Sequence, residues 1–82
     1  MADNTDDAIH EVDARNTFCP VPIIRLAAKI RTVKVGEKVR VLATDKGLVP
    51  DLNAWCKGTK HELLSLTEQE DGVLVAEVRR TR

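Results

Sequence analysis

The chain's best chemical group is Cys19, which stands directly ahead of Pro20 in the run Phe18-Cys19-Pro20-Val21-Pro22. Prolines at that spacing are tolerated in the first turn of a helix, where the N–H groups have no intrahelical acceptor to lose. A residue before proline is pushed out of the α region, which suits Cys19 to the N-cap position. Behind it Ile23, Leu26, Ala27 and Ile30 recur at helical spacing and predict a helix over about 20–31. A thiol at that point would lie in the positive end of the helix dipole, which favours the nucleophilic thiolate. Pro20 and Pro22 remove two N–H donors, so Val21, Ile23 and nearby loop amides would have to hold the anion. Arg15 could approach Cys19 and stabilise its charge, although a solvated arginine is the commoner outcome. Asn16 can take the left-handed conformation that a sharp turn into Cys19 requires.

Other candidate groups carry less. Cys56 follows Cys19 by 37 positions, so there is no C-x-x-C, and His10 and His61 complete no metal-ligand spacing. Leu48, Leu52, Trp55 and Cys56 fall at i, i+4, i+7 and i+8, one apolar stripe of a second helix. Cys56 is therefore expected in the core, against the alternative of a second thiol that pairs with Cys19 or takes sulfur from it. His61 reads as a solvated loop residue. Lys29, Arg31 and Lys34 compensate a helix C-terminus, with a basic rim for a partner as the sharper alternative. Arg79, Arg80 and Arg82 read as a solvated basic tail. No paired carboxylates and no Cys-His constellation surround Cys19, so it is expected to be the sole essential chemical group. No cofactor and no metal are called for.

These residues must be positioned by a small scaffold. Eighty-two residues, 43% hydrophobic and 32% charged, suit one globular domain with no room for a second core. Thirteen basic residues balance thirteen acidic ones, and the only aromatics are Phe18 and Trp55. Neither electrostatic capture of nucleic acid nor a stacked-aromatic single-strand platform is indicated. Residues 1–7 read as a frayed acidic tail without the apolar core of a signal peptide, and 8–80 as the domain. No apolar run reaches membrane-spanning length, and unpaired cysteines suit the cytoplasm.

The alternation and turn signals predict strands over 8–12, 37–43, 62–67 and 73–79, the last two joined by the Asp71-Gly72 hairpin. Helices are expected from Pro20 to near Val33 and from about Leu48 or Val49 to Lys57, with Gly58 ending the second. The order β-α-β-α-β-β, with right-handed crossovers, places two helices on one face of a four-stranded mixed sheet. The fold expected is a two-layer α/β sandwich of the α+β kind, its other sheet face open to water under Lys38 and Arg40.

Taken together, the chain resembles the TusA/SirA-like sulfur carrier proteins. The resemblance rests on Val12-Asp13-Ala14 leading to Cys19-Pro20-Val21-Pro22, then Ala43-Thr44-Asp45, Asp51, Ala54-Trp55-Cys56 and His61-Glu62-Leu63-Leu64, over about 12–79. It implies the same fold, and a persulfide carried on Cys19 in a turn shaped by Pro20 and Pro22. A cysteine desulfurase or rhodanese-type donor would load it and an acceptor protein would remove the sulfur. Routes in the family lead to tRNA thiolation, oxidation of reduced sulfur compounds and cofactor assembly. Such a carrier is a relay rather than a stand-alone enzyme, and a monomer is expected.

Two departures stand out. Asn16 and Thr17 replace a glycine and a leucine of many relatives, and Lys46 and Lys60 replace a proline or glycine. Asn16 can imitate glycine, whereas Lys60 is uncomfortable if a left-handed residue is needed there, unless Gly58 takes that role. Two other classes compete with the carrier. One is a non-covalent regulatory or interaction module of the same fold, using the open sheet face. The other is a thiol oxidoreductase pairing Cys19 with Cys56.

Overall fold

Residues 9–82 are described by the structure, a computed structural model, and fold in the order β1 (Ile9–Ala14), α1 (Val21–Ile30), β2 (Lys38–Ala43), α2 (Leu48–Thr59), β3 (Glu62–Glu68) and β4 (Leu74–Arg79). The acidic stretch 1–7, and Ala8 at the expected start of the first strand, lie outside the described residues. The sheet order is β1-β2-β4-β3. β1 pairs parallel with β2, and β4 pairs antiparallel with both β2 and β3. β2 and β3 thus point the same way, with α2 crossing between them and β4 returning through the hairpin into the gap. Gly72, at φ 87°, makes that return, and Gln69 N–H donates to the Val73 carbonyl across it at 2.9 Å.

Period-two alternation decides which sheet face is buried. Val12 and Ala14 of β1, Val39, Val41 and Ala43 of β2, and Leu74, Ala76 and Val78 of β4 are all buried. Their register sets Val12 opposite Val41 and Val41 opposite Ala76, so apolar side chains form continuous rows across the sheet. Onto this face pack Leu26 and Ile30 of α1 and Leu48, Leu52 and Cys56 of α2. The opposite face carries the row Glu11–Arg40–Glu77, with Arg40 3.1 Å from Glu77 and 3.8 Å from Glu11. The two-layer sandwich and its polar outer face are as the alternation predicts.

Several boundaries differ, each for a local reason. β1 runs on to Ala14, because Asp13 and Ala14 pair with Leu42 and Ala43 instead of joining the polar loop. α1 begins at Val21, with Pro20 rather than Cys19 at the N-cap: the Pro20 carbonyl accepts the first helical bond, from Ile24 N–H at 3.0 Å. It closes at Ile30, before Val33, where Thr32 N–H turns back to the Lys29 carbonyl at 2.9 Å. α2 passes through Gly58 and ends one residue later. Lys60 itself takes the left-handed position at φ 71°, its N–H bonded to the Cys56 carbonyl at 2.8 Å. The expected discomfort of Lys60 is therefore real, since Gly58 does not relieve it. Thr81 Oγ1 donates to the Lys60 carbonyl at 2.7 Å and helps to hold that turn.

Arg80 also departs from the expected solvated tail. Its guanidinium donates to the carbonyls of Val33 at 2.6 Å and Arg31 at 3.3 Å, satisfying acceptors left over after α1.

Candidate functional site

Parallel pairing of β1 and β2 puts their C-terminal ends side by side, so the loop before α1 meets the loop before α2. In open α/β sheets that edge is where sites are built. Asn16 takes φ 65°, and its N–H reaches across to Thr44 Oγ1 at 2.9 Å. Thr17 Oγ1 donates back to the Ala14 carbonyl at 2.6 Å. The turn that Asn16 was expected to make is formed, and it delivers Cys19 to the second loop.

Asp45 fixes the junction. Its Oδ2 accepts the Cys19 N–H at 2.8 Å and its Oδ1 accepts the Gly47 N–H at 3.0 Å. The second bond is an Asx turn, the local device by which Asp shapes the chain two residues on. One carboxylate thereby ties the cysteine backbone to the N-cap of α2. Gly47 is the closest approach: a Cβ placed there would lie 3.3 Å from Cys19 Sγ and 3.3 Å from Asp45 Oδ1. The sulfur rests against α2's N-terminus as well as preceding α1, and it is a half-buried free thiol. The Cys19-Pro20 peptide is cis. Pro20 is exposed, whereas Pro22 is buried with Leu26 and Ile30. The two prolines thus divide the work: one borders the thiol and the other anchors the helix.

The electrostatics overturn the expected thiolate. Partial burial comes first, then the nearby carboxylates of Asp51 and Asp45, and together they push Cys19 up to about 11. Asp51 stands in the first turn of α2. Helix dipoles contribute about 1 kcal/mol or less at such a site, and two adjacent carboxylates outweigh them. The surroundings of Cys19 favour the thiol over the thiolate.

Arg15 is drawn elsewhere. Its Nε and a terminal nitrogen grip Asp13 at 2.9 and 2.8 Å, and this bidentate pair holds the Asp13 carboxyl down to about 2. The support that Arg15 could have lent to Cys19 goes to the end of β1.

Around the thiol the surface is open, with one large apolar side chain among polar ones. Phe18 is 78% exposed beside Cys19. An open cleft of about 440 Å³ flanks the turn, lined by Asn16, Thr17, Phe18, Thr44, Asp45 and Lys46.

Cys56 is 6% exposed in the core, as its place in the stripe predicts, and burial alone raises its thiol to about 11. His61 is not simply solvated. Its ring lies 5.5 Å from that of Trp55, Thr81 N–H donates to its Nδ1 at 3.2 Å, and burial together with Arg80 and Arg82 lowers its pKa. Among the described residues no group of His, Cys, Asp and Glu forms a metal cluster. Among the same residues no helix is long and apolar enough to cross a membrane.

Asp45, Gly47 and Asp51 were given no role at the site by the sequence reading, although the family resemblance rests in part on Asp45 and Asp51. Asp45 and Gly47 lay in a stretch read as a turn, Thr44-Asp45-Lys46-Gly47. An Asp two places ahead of a Gly and just before a helix is a readable Asx-turn signal, but nothing local says that the far oxygen reaches Cys19.

Known proteins resemble this chain over most of its length. The family model described as Sulfurtransferase TusA matches residues 10–80. A sulfur carrier protein TusA from Pseudomonas putida is 38% identical over 71 residues, covering 87% of this chain and 84% of its own. Another, from Allochromatium vinosum, is 36% identical over 63 residues, covering 77% and 83%. The Bacillus subtilis protein YrkF is 43% identical over 63 residues, and there the chain spans only 34% of the relative's length. Among solved structures, a SirA-like protein from Desulfitobacterium hafniense superposes with a TM-score of 0.79 over 92% of this chain and all of that one. At 22% identity it speaks to the fold.

Proposed function

Because the chain belongs to the sulfurtransferase TusA family, we propose that it is a sulfur carrier that holds a persulfide on Cys19. A cysteine desulfurase or rhodanese-type protein loads it, and an acceptor protein on a route to tRNA thiolation, sulfur oxidation or cofactor assembly receives the sulfur. The observation that carries this reading is a half-buried free thiol held by its own backbone N–H on Asp45, beside an exposed Phe18. A relay needs a sulfur fixed in place yet reachable by two proteins in turn, and that turn provides both. The second thiol is withdrawn into the core, which disfavours a Cys19–Cys56 redox pair.

Intact mass after incubation with a cysteine desulfurase and cysteine tests the proposal. One added sulfur on the native chain and none on Cys19→Ser is the expected result. Loss of two hydrogens would indicate a disulfide instead, and an unchanged mass would favour a non-covalent interaction module.

A further inference from the structure

The balance of thirteen cations against thirteen acids is an average over the chain, and the fold separates them. α1, α2 and β4 all end where β2 and β3 begin, at the end of the sheet away from Cys19. Lys34, Lys38, Lys60, Arg79, Arg80 and Arg82 meet there, and Lys29, Arg31 and Lys57 close the two helices beside them. That is nine of the thirteen cations, against Glu37 and Glu62 as the described acids of that end. Asp3, Asp6 and Asp7 precede Ile9, the register partner of Lys38. Counted in full they still leave an excess of four cations, nine against five.

Hydrogen bonds make these loops one surface. Gly36 N–H donates to the Arg80 carbonyl at 2.7 Å, and Arg80 N–H to the Glu37 carbonyl at 2.9 Å. Thr81 ties in the α2 side, with its Oγ1 on the Lys60 carbonyl at 2.7 Å and its N–H on His61 Nδ1 at 3.2 Å. Little of the charge is cancelled. Glu37 is occupied by Lys34 N–H at 2.9 Å and by His10 at 3.2 Å, Glu62 pairs with Arg79 at 3.4 Å, and Arg80 donates to neutral carbonyls. Among the described residues no ion pair engages Lys34, Lys38, Lys60 or Arg82. Two of the placements cost stability. Lys38 stands directly opposite Arg79 across the β2–β4 ladder, a like-charge pair. Lys60 takes the left-handed position that glycine fills without strain. Local rules broken together at one place mark a functional surface.

The chemistry of that surface narrows its partner. Phe18 is at the other end of the sheet and the Trp55 ring lies against His61, so no platform stacks bases from a single strand. Both helices lie along the sheet, and neither projects from this end into a DNA major groove. What remains is recognition of phosphates by charge and shape, as duplex RNA is bound across its shallow minor groove. We propose that this cationic end docks the phosphate backbone of helical RNA. It lies opposite Cys19, so its occupancy is separable from sulfur loading.

Fluorescence anisotropy of a labelled RNA duplex of about 20 base pairs, titrated with the full chain, tests this. Contact with about four phosphates should weaken binding about 100-fold between about 50 and 200 mM salt. Lys34→Glu, Lys38→Glu and Lys60→Glu combined should abolish binding while Cys19 still gains one sulfur from a desulfurase. Lys60→Gly relieves the left-handed strain, so it should raise the melting temperature and yet weaken RNA binding several-fold. No binding at about 50 mM salt, or binding that salt does not weaken, would overturn the proposal. So would native RNA affinity in Lys60→Gly and in the triple variant. Equal affinity for a DNA duplex would remove the assignment to RNA, and tighter binding of an oligoglutamate peptide would give the surface to an acidic protein instead.

Discussion

Burial raises both cysteines, but only one of them has carboxylates beside it. Cys56 is held near 11 by apolar burial among Leu48, Leu52 and the sheet, a uniform environment that resists any charge. Cys19 is held near 11 at a half-open edge, where carboxylates of Asp51 and Asp45 add to partial burial. Burial can be undone only by unfolding. The charge of a nearby carboxylate can be offset by a docking partner's cation. One fold thus carries a thiol opposed by burial alone and another opposed by burial and by carboxylates, and the difference lies in which groups oppose the anion.

That contrast can be broken first by alkylation. In the native chain at mildly alkaline pH, Cys19 should react on exposure of its own turn, while Cys56 waits for global opening. For a domain of ordinary stability this separates the two rates by about 1,000-fold or more, and denaturant should abolish the gap. Comparable rates in the native chain would mean that Cys56 is not in the core.

A second, smaller effect is thermodynamic. Cys56→Ala should cost about 1–2 kcal/mol at neutral pH through lost apolar contact without changing sulfur loading. A thiol whose proton is bound more tightly in the folded than in the unfolded chain contributes stability that is complete below the unfolded value near 9.0. That contribution is lost as pH rises through the folded value near 11. The native advantage over Cys56→Ala should therefore fall by roughly 2–3 kcal/mol across that window, enough to reverse its sign. Urea unfolding of both chains at several pH values between neutral and strongly alkaline would show it, and a pH-independent difference would refute the burial account.

The smallest expected effect sharpens the other side. Gly47→Ala adds a methyl 3.3 Å from both Cys19 Sγ and Asp45 Oδ1. Since Gly47 has φ −60°, the backbone tolerates alanine, and stability should change by less than about 1 kcal/mol. The sulfur has to shift by a few tenths of an ångström, and loading should slow several-fold. A variant with native loading kinetics would show that the close packing of Sγ on α2 is incidental.

The strands and helices were legible because each writes a period into the sequence. Val39, Val41 and Ala43 alternate, Leu48, Leu52 and Cys56 recur every fourth residue, and Asp71-Gly72 marks the hairpin. Burial of Cys56 followed from that same spacing. Helix ends were less so, since closure at Lys60 rather than Gly58 depends on Thr81, twenty-one residues away. Arg80 was misread for a similar reason, because its acceptors at Arg31 and Val33 are remote in the chain.

For the site, the sequence by itself determined the reactive group and the turn that presents it. Cys19 ahead of two prolines, with Asn16 able to go left-handed, is local information, and φ 65° at Asn16 is its outcome. The protonation state was decided only by the tertiary structure. A local reading weighs the dipole of the helix that follows Cys19 and finds a thiolate. Parallel pairing of β1 with β2 brings in the Thr44–Gly47 loop and the first turn of α2, and with them Asp45 and Asp51. Charge acts through space, so the carboxylates that govern Cys19 stand 26 and 32 positions away in a chain whose nearest cation, Arg15, has turned to Asp13.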